Sequence, residues 1–174
     1  MARILVFDNY DSFTYNLVHI LRRYSEHETD VVLNDEILLE EAESYDGIIL
    51  SPGPGVPSEA GLLEPLIDRY KSSKRIFGVC LGQQAIAEVF GGRLVNLESV
   101  YHGVATPVKF SEPRHYIFHG LPEVINAGRY HSWAVDPLSL PDCLRIEAID
   151  ADGHIMALSH RNYDICSVQF HPES

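Results

Sequence analysis

Through the first half of the chain, short apolar runs bounded by turn residues alternate with stretches of helical periodicity, the pattern of βα units laid on a mostly parallel sheet. The runs are RILVFD (3–8), DVVL (30–33), DGIIL (46–50) and RIFGVC (75–80). Between the first two, Phe13, Leu17, Ile20, Leu21 and Tyr24 recur at helical spacing, which predicts a core-facing helix capped by Asp11 or Ser12. A second helix is predicted over 62–71, with Pro65 tolerable only in its first turn, and a third over 82–90, stopped by Gly91-Gly92.

From GRLVNL (92–97) onward the rhythm shortens to β-type runs separated by turns. TPVKF, LRIEAID, HIMALSH and DICSVQF stand out, and the middle pair is joined by ADG, a hairpin signal. A strand-rich second half after a βα first half predicts an α/β fold. Its core is an open, mostly parallel mixed sheet of about seven strands with helices on both faces.

Composition narrows the class. With 174 residues, 45% of them hydrophobic, the chain can bury one core, so residues 1–174 read as a single domain. The formal charge of −12 is spread along the chain, which argues against nucleic acid or an anionic membrane as partner and for a small molecule or another protein. No signal-peptide pattern and no apolar run of roughly 18 residues appears, so the expected location is the cytoplasm. The three cysteines, Cys80, Cys143 and Cys166, lack C-x-x-C spacing and signal neither a disulfide framework nor a metal site.

One of those thiols has a distinctive setting. In GVCLG (78–82) a strand turns into a helix between two glycines, the arrangement of a nucleophile elbow with Cys in place of Ser. Cys80 would then sit at a helix amino end, where unpaired N–H groups carry partial positive charge and favour thiolate, with the Leu81 N–H facing a developing oxyanion. From these residues alone a second reading stays open, that Cys80 is a small buried hydrophobe at the end of a core strand.

A cysteine nucleophile needs a base. His171 follows the apolar run ICSVQF and would stand at a strand's carboxyl end, the edge where open α/β sheets bind ligands. Glu173, two residues on, is placed to orient it, although HPES also reads as a polar chain end. SPGPGVPSEAG (51–61) follows the third strand at the same edge. Its prolines and glycines make a stiff loop able to aim backbone N–H groups, or a plain rigid turn, and it lacks the lysine of a phosphate loop. His115 and His119 have i, i+4 spacing without a third ligand, so no metal is expected.

Together, SPGPGVPSEAG, GVCLGQQAIAEVFGG, GRYHSW and VQFHPES resemble the class I (triad) glutamine amidotransferases in order and spacing. DNYDSFTYNL narrows the resemblance to the glutaminase subunits of anthranilate synthase and aminodeoxychorismate synthase. The resemblance implies Cys80 as nucleophile, His171 as general base and acid, and Glu173 as its orienting carboxylate. It implies an oxyanion hole from the backbone N–H groups of Gly53 and Leu81. Glutamine would be held by Gly53, Pro54 and Gly55, by the Gln84 side chain, and by the backbone of Ser132 and Trp133, where many relatives carry a smaller aliphatic residue in place of the tryptophan.

The implied product, ammonia, passes to a chorismate-binding synthase subunit. That partner is expected to meet the chain near Asp8, Asn9, Tyr10, Asp11 and Ser12 and to need Mg2+, while the chain itself needs no cofactor. Anthranilate synthase is the leading partner and aminodeoxychorismate synthase the alternative, with one subunit able to serve both. An independent hydrolase of glutamyl amides and a catalytically silent regulatory subunit are the competing readings. The family continues past HPES into a further helix, which is missing from this sequence. Cys143 and Cys166 are expected to be packing residues.

Overall fold

In the computed structural model, which describes residues 1–174, a single sheet of nine strands runs in the order β2-β1-β3-β4-β9-β8-β7-β5-β6. The parallel half comprises β1 (Arg3–Asp8), β2 (Glu28–Leu33), β3 (Gly47–Leu50), β4 (Arg75–Val79) and β9 (Ile165–Val168). From β9 outward, β8 (Ile155–His160), β7 (Leu144–Ile149), β5 (Leu94–Phe110) and β6 (Val124–Val135) are antiparallel. Leu5, Val6 and Phe7 are wholly buried, as expected of a parallel strand covered on both faces and therefore apolar without alternation.

The sheet has nine strands where about seven were expected, and its second half departs from the pattern in two ways. GRLVNL and TPVKF belong to one 17-residue strand, β5, interrupted by register shifts between Asn96 and Tyr101 and between His102 and Val104. Its partner β6 buries the polar Arg129 and His131, so VINAGRYHSWAV never shows an apolar period of two. The resulting β5–β6 ribbon brings GRYHSW back toward the Cys80 end of the sheet, where the Tyr130 carbonyl lies 3.9 Å from Cys80 Sγ.

Helices α2 (Leu63–Tyr70) and α3 (Leu81–Val89) cover one face over a core that includes Leu5, Phe7, Ile48, Leu50, Leu66 and Ile86. On the other face, Leu17 of α1 (Thr14–Tyr24) joins Val79, Val108, Phe110, Met156 and Val168. The predicted inward stripe of α1 is corrected here. Thr14, Leu17 and Val18 are buried, whereas Phe13, Ile20 and Tyr24 are exposed. The cap is corrected too: Phe13 occupies the cap position with no side-chain bond, Asp11 accepts from the Phe13 N–H at 3.1 Å, and Asp8 accepts from the Thr14 hydroxyl at 2.9 Å.

A cavity of about 670 Å³ opens at the amino ends of the parallel strands beside Ile4, Ile49, Phe77 and Cys166. None of the predicted site residues lines it. No helix is long and apolar enough to cross a membrane.

Glycine decides how closely α3 approaches the sheet. A Cβ on Gly82 would lie 2.8 Å from both Cβ and the carbonyl oxygen of Leu50, and one on Gly78 would lie 2.6 Å from the Gly82 carbonyl carbon. We expect Gly82→Ala to lower stability by about 1–3 kcal/mol, the cost of overpacking a tight contact, as measured by urea unfolding. A change within error would show that α3 can shift outward freely.

Candidate active site

β4 and β9 are parallel neighbours with Val79 opposite Val168, so the residues that follow them, Cys80 and the segment Gln169–His171, leave the sheet at one edge. Cys80 has φ 53° and ψ −100°, one of two non-glycine residues with positive φ. Such a conformation costs of order 1–3 kcal/mol unless its surroundings enforce it. Here the Cys80 N–H donates to the Val168 carbonyl at 2.8 Å, and its carbonyl accepts from the Gln84 N–H at 3.2 Å as α3 begins. The bend turns the side chain out of the strand, and the first-turn N–H groups of α3 have no partner within the helix.

His171 and Glu173 meet as their spacing predicts. Nδ1 lies 2.7 Å from Glu173 Oε1, and both side chains are at least 95% buried. The His171 backbone N–H donates to the Gly128 carbonyl at 2.9 Å, and the ring stands edge-on to Tyr130 with centroids 5.0 Å apart. Burial works against a charged imidazole, but the Cys80 and Glu173 side chains outweigh it and push the His171 pKa up to about 10. Nε2 is buried with no hydrogen-bond partner, so the ring nitrogen opposite Glu173 is uncommitted. Asp11 lies near enough to feel both His171 and Glu173, and its carboxyl is raised by burial.

The remaining predicted residues fall into two groups, those packed at the start of α3 and those beside a separate polar cavity. A Cβ on Gly53 would stand 2.6 Å from the Asn9 carbonyl oxygen and 3.0 Å from the Leu81 side chain, so this loop lies against the start of α3 with no room for a larger residue. Gln84 is buried, and its Nε2 donates to the Trp133 carbonyl at 3.0 Å and to Gln169 Oε1 at 3.2 Å. That places Gln84 and the Ser132–Trp133 backbone side by side. Pro54 lines a polar cavity of about 390 Å³ with Asn9, Asn34 and Asp35, and Gly55 adopts φ +71° beside the Glu59 carboxylate.

Other residues at this edge were not anticipated. Gln169 is fully buried, and its Nε2 donates to Cys80 Sγ at 3.3 Å. Behind Trp133, His131 Nδ1 donates to the same carbonyl at 2.8 Å while Nε2 accepts from Arg129 Nε at 3.1 Å. Burial holds His131 down to about 4, so this ring is neutral near pH 7. Arg129 is itself paired with Asp150 at 2.8 Å. A signal was available for Gln169: Ser167, Gln169 and His171 alternate with apolar residues from the end of β9 into the segment beyond it, a polar row in a buried setting.

The model of the family "Glutamine amidotransferase class-I" matches residues 5–174. The chain belongs to the class-I glutamine amidotransferases. Among its relatives is the aminodeoxychorismate/anthranilate synthase component 2 of Bacillus subtilis, 46% identical over 173 residues that make up 98% of this chain and 88% of that protein. The anthranilate synthase component 2 of Azospirillum brasilense is 47% identical over 174 residues, 98% of this chain and 87% of that one. A glutamine amidotransferase structure from Thermotoga maritima superposes with a TM-score of 0.82, covering 99% of this chain and 76% of the other. At 17% identity that last likeness bears on the fold alone. It fits the α/β architecture read from the sequence.

In this amidotransferase the raised His171 pKa has a pH signature. The group binds its proton more tightly folded than unfolded, so its contribution to stability is complete below about pH 6.5, the unfolded value, and fades as pH rises through about 10. Glu173→Gln is expected to lower the pKa from about 10 and narrow that window, as followed by NMR titration of the imidazole. An unmoved titration would mean that Glu173 does not support the charge.

Proposed function

We propose that the chain is the glutaminase subunit of a chorismate-aminating synthase, releasing ammonia from L-glutamine through a Cys80 thioester. The observation that carries this reading is the convergence of a strained Cys80 elbow and a buried His171–Glu173 pair at one sheet edge. Family membership and the names of the relatives supply the reaction class.

The chemistry follows from the groups present. The Cys80 thiolate attacks the side-chain amide carbon of glutamine, forming the C–S bond as the carbonyl electron pair moves onto oxygen. The oxyanion is taken by the N–H groups of Leu81 and Gly53, the first at a helix amino end. Collapse breaks the C–N bond, and His171, protonated near neutral pH and held by Glu173, gives its Nε2 proton to the departing ammonia. The now neutral ring takes a proton from water as its oxygen adds to the thioester carbon, and collapse breaks the C–S bond, returning the Cys80 thiolate and freeing glutamate. Glutamine is oriented by the loop Gly53, Pro54, Gly55, by Gln84 and by the backbone of Ser132 and Trp133.

The partner is a chorismate-binding subunit to which the Mg2+ requirement belongs. Within the predicted contact stretch, Asp8 and Asn9 are buried by internal hydrogen bonds, so docking falls to Tyr10, Ser12 and the flank of Asp11. Anthranilate synthase is the favoured partner. The double name of the Bacillus subtilis relative supports a subunit shared with aminodeoxychorismate synthase as the second reading.

Glutamate release from glutamine is the test, measured for the chain alone and with each chorismate-binding subunit. We expect release to rise with one partner plus chorismate, the aminated product naming the pathway, and Cys80→Ser to lower it roughly a thousandfold or more. Release that persists undiminished in Cys80→Ser would overturn the thioester route.

A further inference from the structure

We infer that Gln169 is a positioning residue for the nucleophile, its side-chain amide donating to the Cys80 sulfur and coupling that sulfur to the glutamine-binding backbone. The inference rests on Cys80 being the nucleophile.

The direction of every bond in this relay is fixed by chemistry. The Trp133 carbonyl can only accept, so the Gln84 atom 3.0 Å from it is the amide nitrogen. The same nitrogen lies 3.2 Å from Gln169, whose facing atom must then be the oxygen. Gln169 therefore turns its NH2 group toward Cys80, with Nε2 at 3.3 Å from Sγ. A flipped Gln169 would set two amide NH2 groups against each other. The anchor is itself clamped, because neutral His131 also donates to the Trp133 carbonyl at 2.8 Å.

The sulfur needs such a donor. Its other polar neighbour on the backbone is the Tyr130 carbonyl at 3.9 Å, an acceptor that can hold a thiol hydrogen and offers nothing to a thiolate. A buried N–H donor aimed at sulfur stabilises the anion and fixes its direction of attack. Gln169 is wholly buried and its backbone N–H is bonded to Met156 at 2.9 Å, so the amide cannot swing away. Glutamine seating against Ser132 and Trp133 is thereby linked to the thiol through two amide side chains.

The test is iodoacetamide alkylation of wild type and Gln169→Met at pH 7, followed site by site by mass spectrometry with the partly exposed Cys143 as internal reference. Methionine fills similar space without an N–H. We expect Cys80 to be modified about tenfold more slowly relative to Cys143, the scale of a lost hydrogen bond to an ionised partner. An unchanged ratio overturns the inference. Should buried Cys166 become labelled, the variant has lost its packing, and the decision passes to a measurement that leaves Gln169 intact. The Gln169 side-chain amide NMR signal is expected to shift in Cys80→Ala and not in Cys143→Ala, and a signal unmoved by Cys80→Ala overturns the inference.

Failure of the functional reading looks different. Cys80→Ser turning over glutamine at the wild-type rate would sink that reading while leaving the alkylation ratio to report on Gln169. An inactive Cys80→Ser with an unchanged ratio would remove Gln169 alone.

Discussion

The left-handed backbone at Cys80 is the constraint on which the active edge is built. A cysteine holds that conformation only because β4, β9 and α3 leave no alternative: Val168 fixes its N–H from one side, Gln84 its carbonyl from the other. The close approach of α3 depends in turn on Gly78 and Gly82, whose missing side chains are replaced by the backbone of the neighbouring turn and by Leu50. Relaxing the bend would return the thiol to the strand axis and the core. The local strain and the placing of the buried thiol between Gln169 and the Tyr130 carbonyl are therefore the same feature.

Two buried histidines on this edge are pushed in opposite directions, and the difference lies in what each ring faces. His171 has a carboxylate on one nitrogen and the thiol beyond the other, so its charged form wins against burial. His131 faces a guanidinium and a carbonyl, so burial wins and the ring stays neutral. One imidazole is held charged near neutral pH and the other neutral. Neither state is encoded by the histidine itself.

Much of this was legible in the sequence because it is local. Strands β1 to β4, the limits of α2 and α3, and the 78–82 elbow follow from runs of apolar residues and from glycine and proline placement. The Cys80, His171 and Glu173 types, together with the four motifs, pointed to the reaction class. What escaped is long-range. β6 hides its strand character behind Arg129 and His131, polar residues whose burial is met by the Asp150 carboxylate and, two residues along the same strand, the Trp133 carbonyl. The inward face of α1 keeps Leu17 as predicted but adds Thr14 and Val18 and leaves Phe13, Ile20 and Tyr24 exposed, since apolar spacing alone does not say which flank the sheet will meet. Asp8 and Asn9 look like surface residues by type, yet they tie β1 to Thr14 and Ser51 inside the fold. For Gln169 the sequence offers only a polar alternation, and the sulfur it faces is visible only in the fold.

The contact between Asn9 and Gly53 joins the outside of the molecule to its reaction centre. The half-exposed Tyr10 is adjacent to Asn9, whose carbonyl occupies the space a side chain at position 53 would need. With no slack between the two loops, they form one unit, and a push on the exposed side is felt at the start of α3.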